Sequence, residues 1–541
     1  MYYRQAVAKL CGRIRSCHSL RAKPCNYLQN TGELKTSLEH GFGYCDWRHH
    51  TEALRWVFLP GSAVLILGMN SMPSRADDIS IESTSKKGTS LADVSGLSKV
   101  EDVSVISNEH TSKWRVFTDS GRGFFMQGKF ELAEKFFVSA LQEAIEGFGE
   151  SDPHVASACN NLAELYRIEK DFDKAEPLYM KAIHILEESF GPDDVRVGAA
   201  FHNLGQFFLV QRELEKARGC YEHALKTKRR VLGETNTDYA DTMYHLGTVL
   251  YLEGKVKDSE DLILNSIRIL EESGQGETII CIRRLQYLAQ MYVKSNQFAE
   301  AEIFLRKILH MLELSKGWKS LGTVVAAERL ALTLQSLGQL SEAEELLESR
   351  CLEAQTHLLP AEHIQNAANM LYIARVKMLI SDDLMKRNSS QAITELDKAK
   401  ILLRGSIRIA RQILLQFVKE RGNKEPIVVY PKTGKDGHPM MLILLQSLNA
   451  LGSLEIRKLQ FQDSRECIPS EADASLLQCM SILKEFGNEK SLLESSEVKA
   501  EYLSCLQCLN DLISKSKASE IAMGKEIENE IQRVQDEISR S

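Results

Sequence analysis

One spacing constrains this chain more than any other feature. Small residues stand 42 positions apart at Ala133, Ala175, Ala217, Ser259, Ala301 and Ala343, six times without a gap. Twelve residues before each lies a second small residue: Gly121, Ala163, Gly205, Gly247, Ala289 and Ala331. Four residues after each lies a larger one: Phe137, Tyr179, Tyr221, Ile263, Leu305 and Leu347. Turn sequences such as Gln127-Gly128-Lys129-Phe130 and Glu253-Gly254-Lys255-Val256 separate the two small series. Leu162, Ala163 and Tyr166 form one helical stripe, and Ala175, Tyr179 and Ala182 form another. Each unit is therefore expected to hold two amphipathic helices, crossing closely where side chains are short. No unit buries its apolar face alone, so the units must stack into a solenoid.

The junctions between units repeat as well. Phe148-Gly149-Glu150-Ser151-Asp152-Pro153 is echoed by Phe190-Gly191-Pro192-Asp193-Asp194 and by Leu232-Gly233. With Asn161-Leu162-Ala163 and Ala175-Glu176-Pro177-Leu178-Tyr179, this pattern resembles the tetratricopeptide repeat, whose usual period is 34 residues. The extra eight residues fall between units, as in the kinesin-light-chain-like subtype with its 42-residue period. The expected fold is thus all-α: a right-handed superhelix (α-solenoid) with six regular units over 113–355. Degenerate helical repeats follow over 356–514.

The resemblance implies a binding scaffold whose first helices line a concave groove. On that analogy the groove candidates are Thr118, Asp119 and Arg122; Asn160, Asn161 and Glu164; His202, Asn203 and Gln206; Tyr244, His245 and Thr248; Gln286, Tyr287 and Gln290. In the light-chain subtype, amides such as Asn161 and Asn203 hold the backbone of an extended peptide, offering both donor and acceptor. Both are expected to face outward; the alternative is ordinary polar surface. The Lys/Asn clamp that grips acidic chaperone tails is matched in no unit. Light chains also carry a heptad coiled coil ahead of their repeats, and no heptads occur here. A cytosolic kinesin-light-chain-like cargo adaptor is therefore the second reading.

The N-terminal part reads as an address. No acidic residue precedes Glu33, while Arg4, Lys9, Arg13, Arg15, Arg21 and Lys23 are interleaved with Val7, Leu10 and Ile14. Such composition marks an organelle transit peptide over 1–50, mitochondrial in preference to chloroplast. An uncharged run from Trp56 to Ser74 has about the length of a membrane span, with Pro60 and Gly61 interrupting it. Segment 53–74 is read as a hydrophobic anchor or a second sorting signal. Positive residues before it, and Asp77 and Asp78 after it, place the body beyond the inner membrane, anchored to it or in the intermembrane space. A polar stretch over 75–112 reads as a disordered linker.

Chemistry is scarce. A net charge of −7 argues against nucleic acid, which selects a basic excess. The 12 cysteines form no disulfide framework, and Cys505-Leu-Gln-Cys508 sits in a helical stripe where packing is expected. No hydrolase, phosphate-loop, dinucleotide or zinc motif occurs, so neither catalysis, cofactor nor metal is expected. Beyond the regular units, a seventh pair is expected around Ile373-Ala374 and Ala392-Leu396-Ala399, with a turn from Ser381 to Ser390. A separate buried helix over Ile401–Lys419, an inserted loop over 421–439, further helices over Met440–Leu459, Ala472–Phe486 and Val498–Ile513, and a charged, solvated helix over 515–541 complete the chain. These readings converge on a non-catalytic scaffold whose partner is a protein or extended peptide. Single-span membrane association and a part in assembling an organellar membrane complex extend the same analogy; oligomeric state stays open.

Overall fold

A computed structural model describes residues 109–385, 387–422, 437–461, 470–486, 495–515 and 521–540. The expected transit peptide, the uncharged run and the linker as far as residue 108 lie outside these. Among the described residues there is no strand. Six helical pairs come first. They are α1 (Glu109–Met126) with α2 (Phe130–Phe148), α3 (Pro153–Glu169) with α4 (Phe172–Phe190), and α5 (Val195–Val210) with α6 (Leu214–Leu232). Next are α7 (Thr237–Leu252) with α8 (Val256–Glu272), α9 (Ile279–Lys294) with α10 (Phe298–Lys316), and α11 (Leu321–Ser336) with α12. The last of these runs through Leu340–Glu345, a π-turn at Leu346–Cys351, and Leu352–Leu358. Each helix packs on the next, and first helices also meet across units, α3 on α5 and α5 on α7.

The sequence starts the first helices of the second to fifth units at the same register. Asp152, Asp194, Asn236 and Thr278, each 42 residues after the last, cap the first helices by accepting from His154, Arg196, Asp238 and Cys281 backbone N–H groups at 2.8, 2.9, 2.8 and 3.3 Å. Such a cap contributes about 0.5–2 kcal/mol. Inside each pair the chain turns through one left-handed residue, again 42 apart: Gly128, Lys170, Arg212, Gly254, Asn296 and Gly338. Three of these carry side chains, so the turn persists despite a cost of about 1–2 kcal/mol at each.

The crossing inside each pair follows the small series. Ala133, Ala175, Ala217, Ser259, Ala301 and Ala343 are all fully buried, as are Phe137, Tyr221, Ile263 and Leu347. A β-carbon added at Gly247 would stand 2.8 Å from Ile263 Cγ1, and one at Gly205 would stand 2.9 Å from the Tyr221 ring. The six regular units stand as the spacing requires.

Elsewhere the boundaries differ from expectation. Residues 109–112, assigned to the linker, already belong to α1, because Trp114 is buried edge-on against His154, with ring centroids 4.7 Å apart. The seventh pair is α13 (Ile364–Met385) with α14 (Ser389–Gly422), so most of the expected turn is helix. Ser381 was read as turn, yet its hydroxyl donates to the Ala392 carbonyl at 2.9 Å, which lets a polar residue sit inside a helix pair. The expected break before Ile401 is absent: α14 is continuous, carrying the stripe Ala392, Leu396, Ala399 and Leu403, while Ile401 falls off it and is 72% exposed.

The inserted loop is shorter than 421–439, since 421–422 close α14 and His438 opens α15 (His438–Phe461); the rest of it lies outside the described residues. Helix α15 is apolar enough to span a membrane but is mostly buried, packed on α14, α16 (Ser470–Phe486) and α17 (Ser496–Lys515). Cys505 is buried there with its Sγ 3.1 Å from that of Cys479. Helix α18 (Ile521–Arg540) buries Ile527 and Val534 and packs on α17, so one face of the charged C-terminal segment is not solvated.

The regular units end where α13 crosses α11. Glu328 of α11 is enclosed there, accepting from Gln355 Nε2 at 2.7 Å and Gln365 Nε2 at 2.5 Å. Burial pushes its carboxyl up to about 8, and the two amides only partly oppose that. The folded protein therefore holds this proton where the unfolded chain, titrating near 4.5, releases it. Glu328 thus favours folding fully below about pH 4.5, and that contribution declines as pH rises through about 8. The loss is a few kcal/mol at about 1.4 kcal/mol per unit. Gln355 can turn its amide to suit a glutamine, since its own Oε1 has no partner. Glu328→Gln should thus flatten the fall in Tm between pH 4.5 and 8 and raise Tm at pH 8. An unchanged slope in thermal melts would refute this.

Candidate functional site

The sequence-selected residues fall on three register positions of the first helices. Asn160, His202 and Tyr244 share one; Asn161, Asn203 and His245 share the next; Arg122, Glu164 and Gln206 share the third. Because first helices of adjacent units meet, a residue at the first position faces the one 43 residues later, at the second position of the following unit. Asn203 Nδ2 donates to Asn160 Oδ1 at 2.9 Å. His202 meets His245 edge-on with ring centroids 5.0 Å apart. Tyr244 meets Tyr287 edge-on at 5.8 Å, and Tyr287 meets Tyr251 at 6.0 Å. An amide rung, an imidazole rung and a phenol rung thus follow one another from α3 to α9.

This geometry corrects part of the sequence reading. Asn161 and Asn203 do not face outward: they are 1% and 9% exposed. The contact between α3 and α5 covers Asn203, whose register turns its amide toward Asn160. The Asn161 amide finds no hydrogen-bond partner among the described residues, and neither does Thr118 Oγ1, the rung residue one unit earlier. Glu164 is not surface either; it is buried, bonded by Tyr179 Oη at 2.5 Å and Arg167 Nη2 at 2.7 Å. Arg122 stays with Asp119 of its own helix at 3.9 Å, apart from the rungs. Gln206, Tyr244 and His245 remain partly exposed.

Around the imidazole rung stand charges that the sequence reading missed. Asp241 Oδ1 accepts from Arg284 Nη2 at 2.9 Å, and its Oδ2 lies 3.5 Å from His202 Nε2 and 3.9 Å from His245 Nε2. Arg284 also donates to the Ala240 carbonyl at 3.2 Å, and its guanidinium lies 5.3 Å from the Tyr244 ring centre. Lys228 Nζ donates to Thr242 Oγ1 at 3.0 Å. Gln206 Nε2 lies 3.1 Å from His202 Nε2.

A signal for the two cations does exist in the repeat. Arg284 occupies the register of Ala158, Ala200, Thr242 and Ala326, all buried, and is itself 2% exposed. Lys228 occupies the register of Leu186 and Leu270. Two long cations thus replace small or apolar residues, and both point at one carboxylate region.

The titrations follow from these contacts. Burial opposes ionisation of Asp241, but His245, His202, Arg284 and Lys228 outweigh it and hold the carboxyl at about 2. Burial, aided by Lys228, pushes His202 well below the usual imidazole range. Burial likewise lowers His245, against the pull of Asp241. Burial lowers the Lys228 ammonium as well. Near neutral pH the cluster therefore presents two neutral imidazoles and one carboxylate beside the cations Arg284 and Lys228. No metal ligands were expected from the sequence, yet three compatible donors converge here.

Comparison with known proteins agrees on the repeat. A tetratricopeptide-repeat family model matches residues 118–188 and 196–272, the stretch that carries all three rungs except Tyr287. Among solved structures, a kinesin-light-chain-type protein of Podospora anserina with nearly identical TPR-like repeats is 18% identical, covering 38% of this chain and 96% of its own, with a TM-score of 0.35. The apo form of RapI is 14% identical over 76% of this chain and 100% of its own, with a TM-score of 0.43. The apo quorum sensor NprR of B. thuringiensis is 12% identical over 79% and 98%, with a TM-score of 0.42. No curated protein matches.

A buried cation held by few partners adds little stability, and an apolar residue of similar volume often serves folding equally well or better, by about 1–4 kcal/mol. Lys228→Leu, which restores the register of Leu186 and Leu270, should therefore leave the thermal midpoint unchanged or raise it. A loss above about 2 kcal/mol would show that Lys228 is part of the scaffold rather than of a site.

Proposed function

The chain carries tetratricopeptide repeats of the kinesin-light-chain-like, 42-residue kind, and we propose that it is a non-catalytic scaffold. In this reading it binds an extended polypeptide partner along the first-helix face, between α3 and α9. The observation that carries the proposal is the departure from repeat register at Lys228 and Arg284. A stacking fold asks there for small or apolar residues, and places where a sequence breaks its own rule are where function is expected. The accessible groups beside them suit a peptide. Tyr244 and Tyr287 offer flat apolar area with a polar tip, Gln206 offers an amide, and Arg284 backs the Asp241 carboxylate. The two asparagines given the leading part by analogy are replaced in that role by Tyr244, Tyr287, Gln206 and Asp241, because the asparagines are covered.

The address belongs to the same proposal. The acid-free, arginine-bearing start supports import into mitochondria, and the run at 56–74 supports a position at or beyond the inner membrane. A scaffold there would hold a subunit or assembly intermediate of a membrane complex. The chloroplast is the other organelle that such a start fits.

Photo-crosslinking reads the binding face directly. A crosslinker placed at position 244 or 287 should give adducts with one and the same partner. One placed at Ile303, 50% exposed on a second helix, should give none. Equal adducts from position 303, or none from 244 and 287, would end the proposal. A fluorescent fusion of residues 1–80 should enter mitochondria; a diffuse cytosolic signal would favour the cytosolic cargo-adaptor reading instead.

A further inference from the structure

His202, Asp241 and His245 have the donor set of a transition-metal site. One ligand atom from each of the three side chains lies within 4.8 Å of the other two. Two of the three separations are 3.5 and 3.9 Å. Donors around a tetrahedral ion with bonds of roughly 2.0–2.1 Å stand about 3.3 Å apart. The closure required falls mainly on His245, whose side chain is 24% exposed. We propose that these three side chains bind one divalent ion of the zinc or copper type, with its remaining coordination positions open to the inner face of the repeats.

The surroundings set the ligands as a metal centre requires. Thr242 Oγ1 gives its only proton to the Asp238 carbonyl, at 3.1 Å. It must then accept from His202 Nδ1, also at 3.1 Å, so the His202 proton sits on Nδ1 and leaves Nε2 as an acceptor, 3.5 Å from Asp241 Oδ2. Fixing a ligand imidazole through its other nitrogen is the usual outer-shell device. Asp241 is fixed the same way: Arg284 holds Oδ1 at 2.9 Å and leaves Oδ2 for the ion. His245 stacks parallel to Tyr221, with ring centroids 5.7 Å apart, which limits its tilt.

The chemistry selects the class of ion. Two imidazole nitrogens and one carboxylate suit zinc, copper or nickel, whereas calcium and magnesium demand oxygen ligands. Arg284 and Lys228 add positive charge nearby, which weakens binding and favours an anion in the open position. Gln206 Nε2, now 3.1 Å from His202 Nε2, must turn aside or present its carbonyl instead.

The inference does not depend on the peptide reading, because it rests on three side chains alone. The metal-stripped full chain should be titrated with Zn2+ by calorimetry, beside His245→Ala and His202→Gln, each checked for fold by circular dichroism and Tm. One equivalent should be present in the parent and weakened in both variants by at least about tenfold, the lower bound for losing even an outer-shell partner. Cu2+ bound to the parent should show nitrogen coupling from two imidazoles in electron paramagnetic resonance, and from one in His245→Ala. Identical titrations for parent and variants would overturn the site. So would copper spectra of the parent without two-imidazole coupling, a result that stands even if a variant fails to fold.

Discussion

Every pair in the regular part of the chain closes on the same contact. A glycine or alanine of the first helix, with an alanine or serine of the second, lets the two backbones approach, and the larger side chain four residues on fills the space beside them. At Gly121, Gly205 and Gly247 the fit is tight enough that a β-carbon would come within 2.6, 2.9 and 2.8 Å of Phe137, Tyr221 and Ile263. Interiors packed to crystalline density tolerate little change of volume. This contact fixes the rotation of each first helix, and with it the direction of every other side chain on that helix.

The rungs are a direct consequence. Once the crossing sets the helix rotation, the residue three positions before the small one, and the residue just after that, must look along the stack. They meet their counterparts in neighbouring units rather than solvent. Amide therefore meets amide at Asn160 and Asn203, ring meets ring at His202 and His245, and phenol meets phenol at Tyr244 and Tyr287. A polar group in such a seam must be satisfied or it costs about 1–3 kcal/mol. The Asn160–Asn203 bond meets that condition, whereas the Asn161 amide and Thr118 hydroxyl do not within the described residues.

Charge enters the seam only where the repeat is broken. Arg284 and Lys228 reach in from positions built for Ala, Thr or Leu, and the Asp241 carboxylate is held ionised between them and the two histidines. At the far end, α13 crosses α11 and encloses Glu328, which occupies the rung position of Asn160, His202 and Tyr244. There burial without a nearby cation drives the carboxyl the opposite way, up to about 8. One register position thus carries an amide, an imidazole, a phenol and a nearly neutral carboxylic acid. The difference lies in what each neighbouring unit places opposite.

The 42-residue spacing by itself determined the helical pairs, their crossing residues, their caps and their turns. These depend on contacts within one unit, or between consecutive helices, and the spacing repeats them six times. The stripe could not reveal that α14 is one helix, that α1 starts at Glu109, or that α18 buries one face. Those depend on which distant surface covers each segment. The same limit applies at the site. Register placed His202, Gln206, Tyr244 and His245 on first helices, and the departure from it at Arg284 and Lys228 is legible in the spacing. Only the stacking decided that Asn161 and Asn203 are covered and that Asp241 stands between two imidazoles. The residues that meet there come from α5, α6, α7 and α9. Their rotations are set by separate small-residue crossings, and periodicity along the chain carries no information about distances across units.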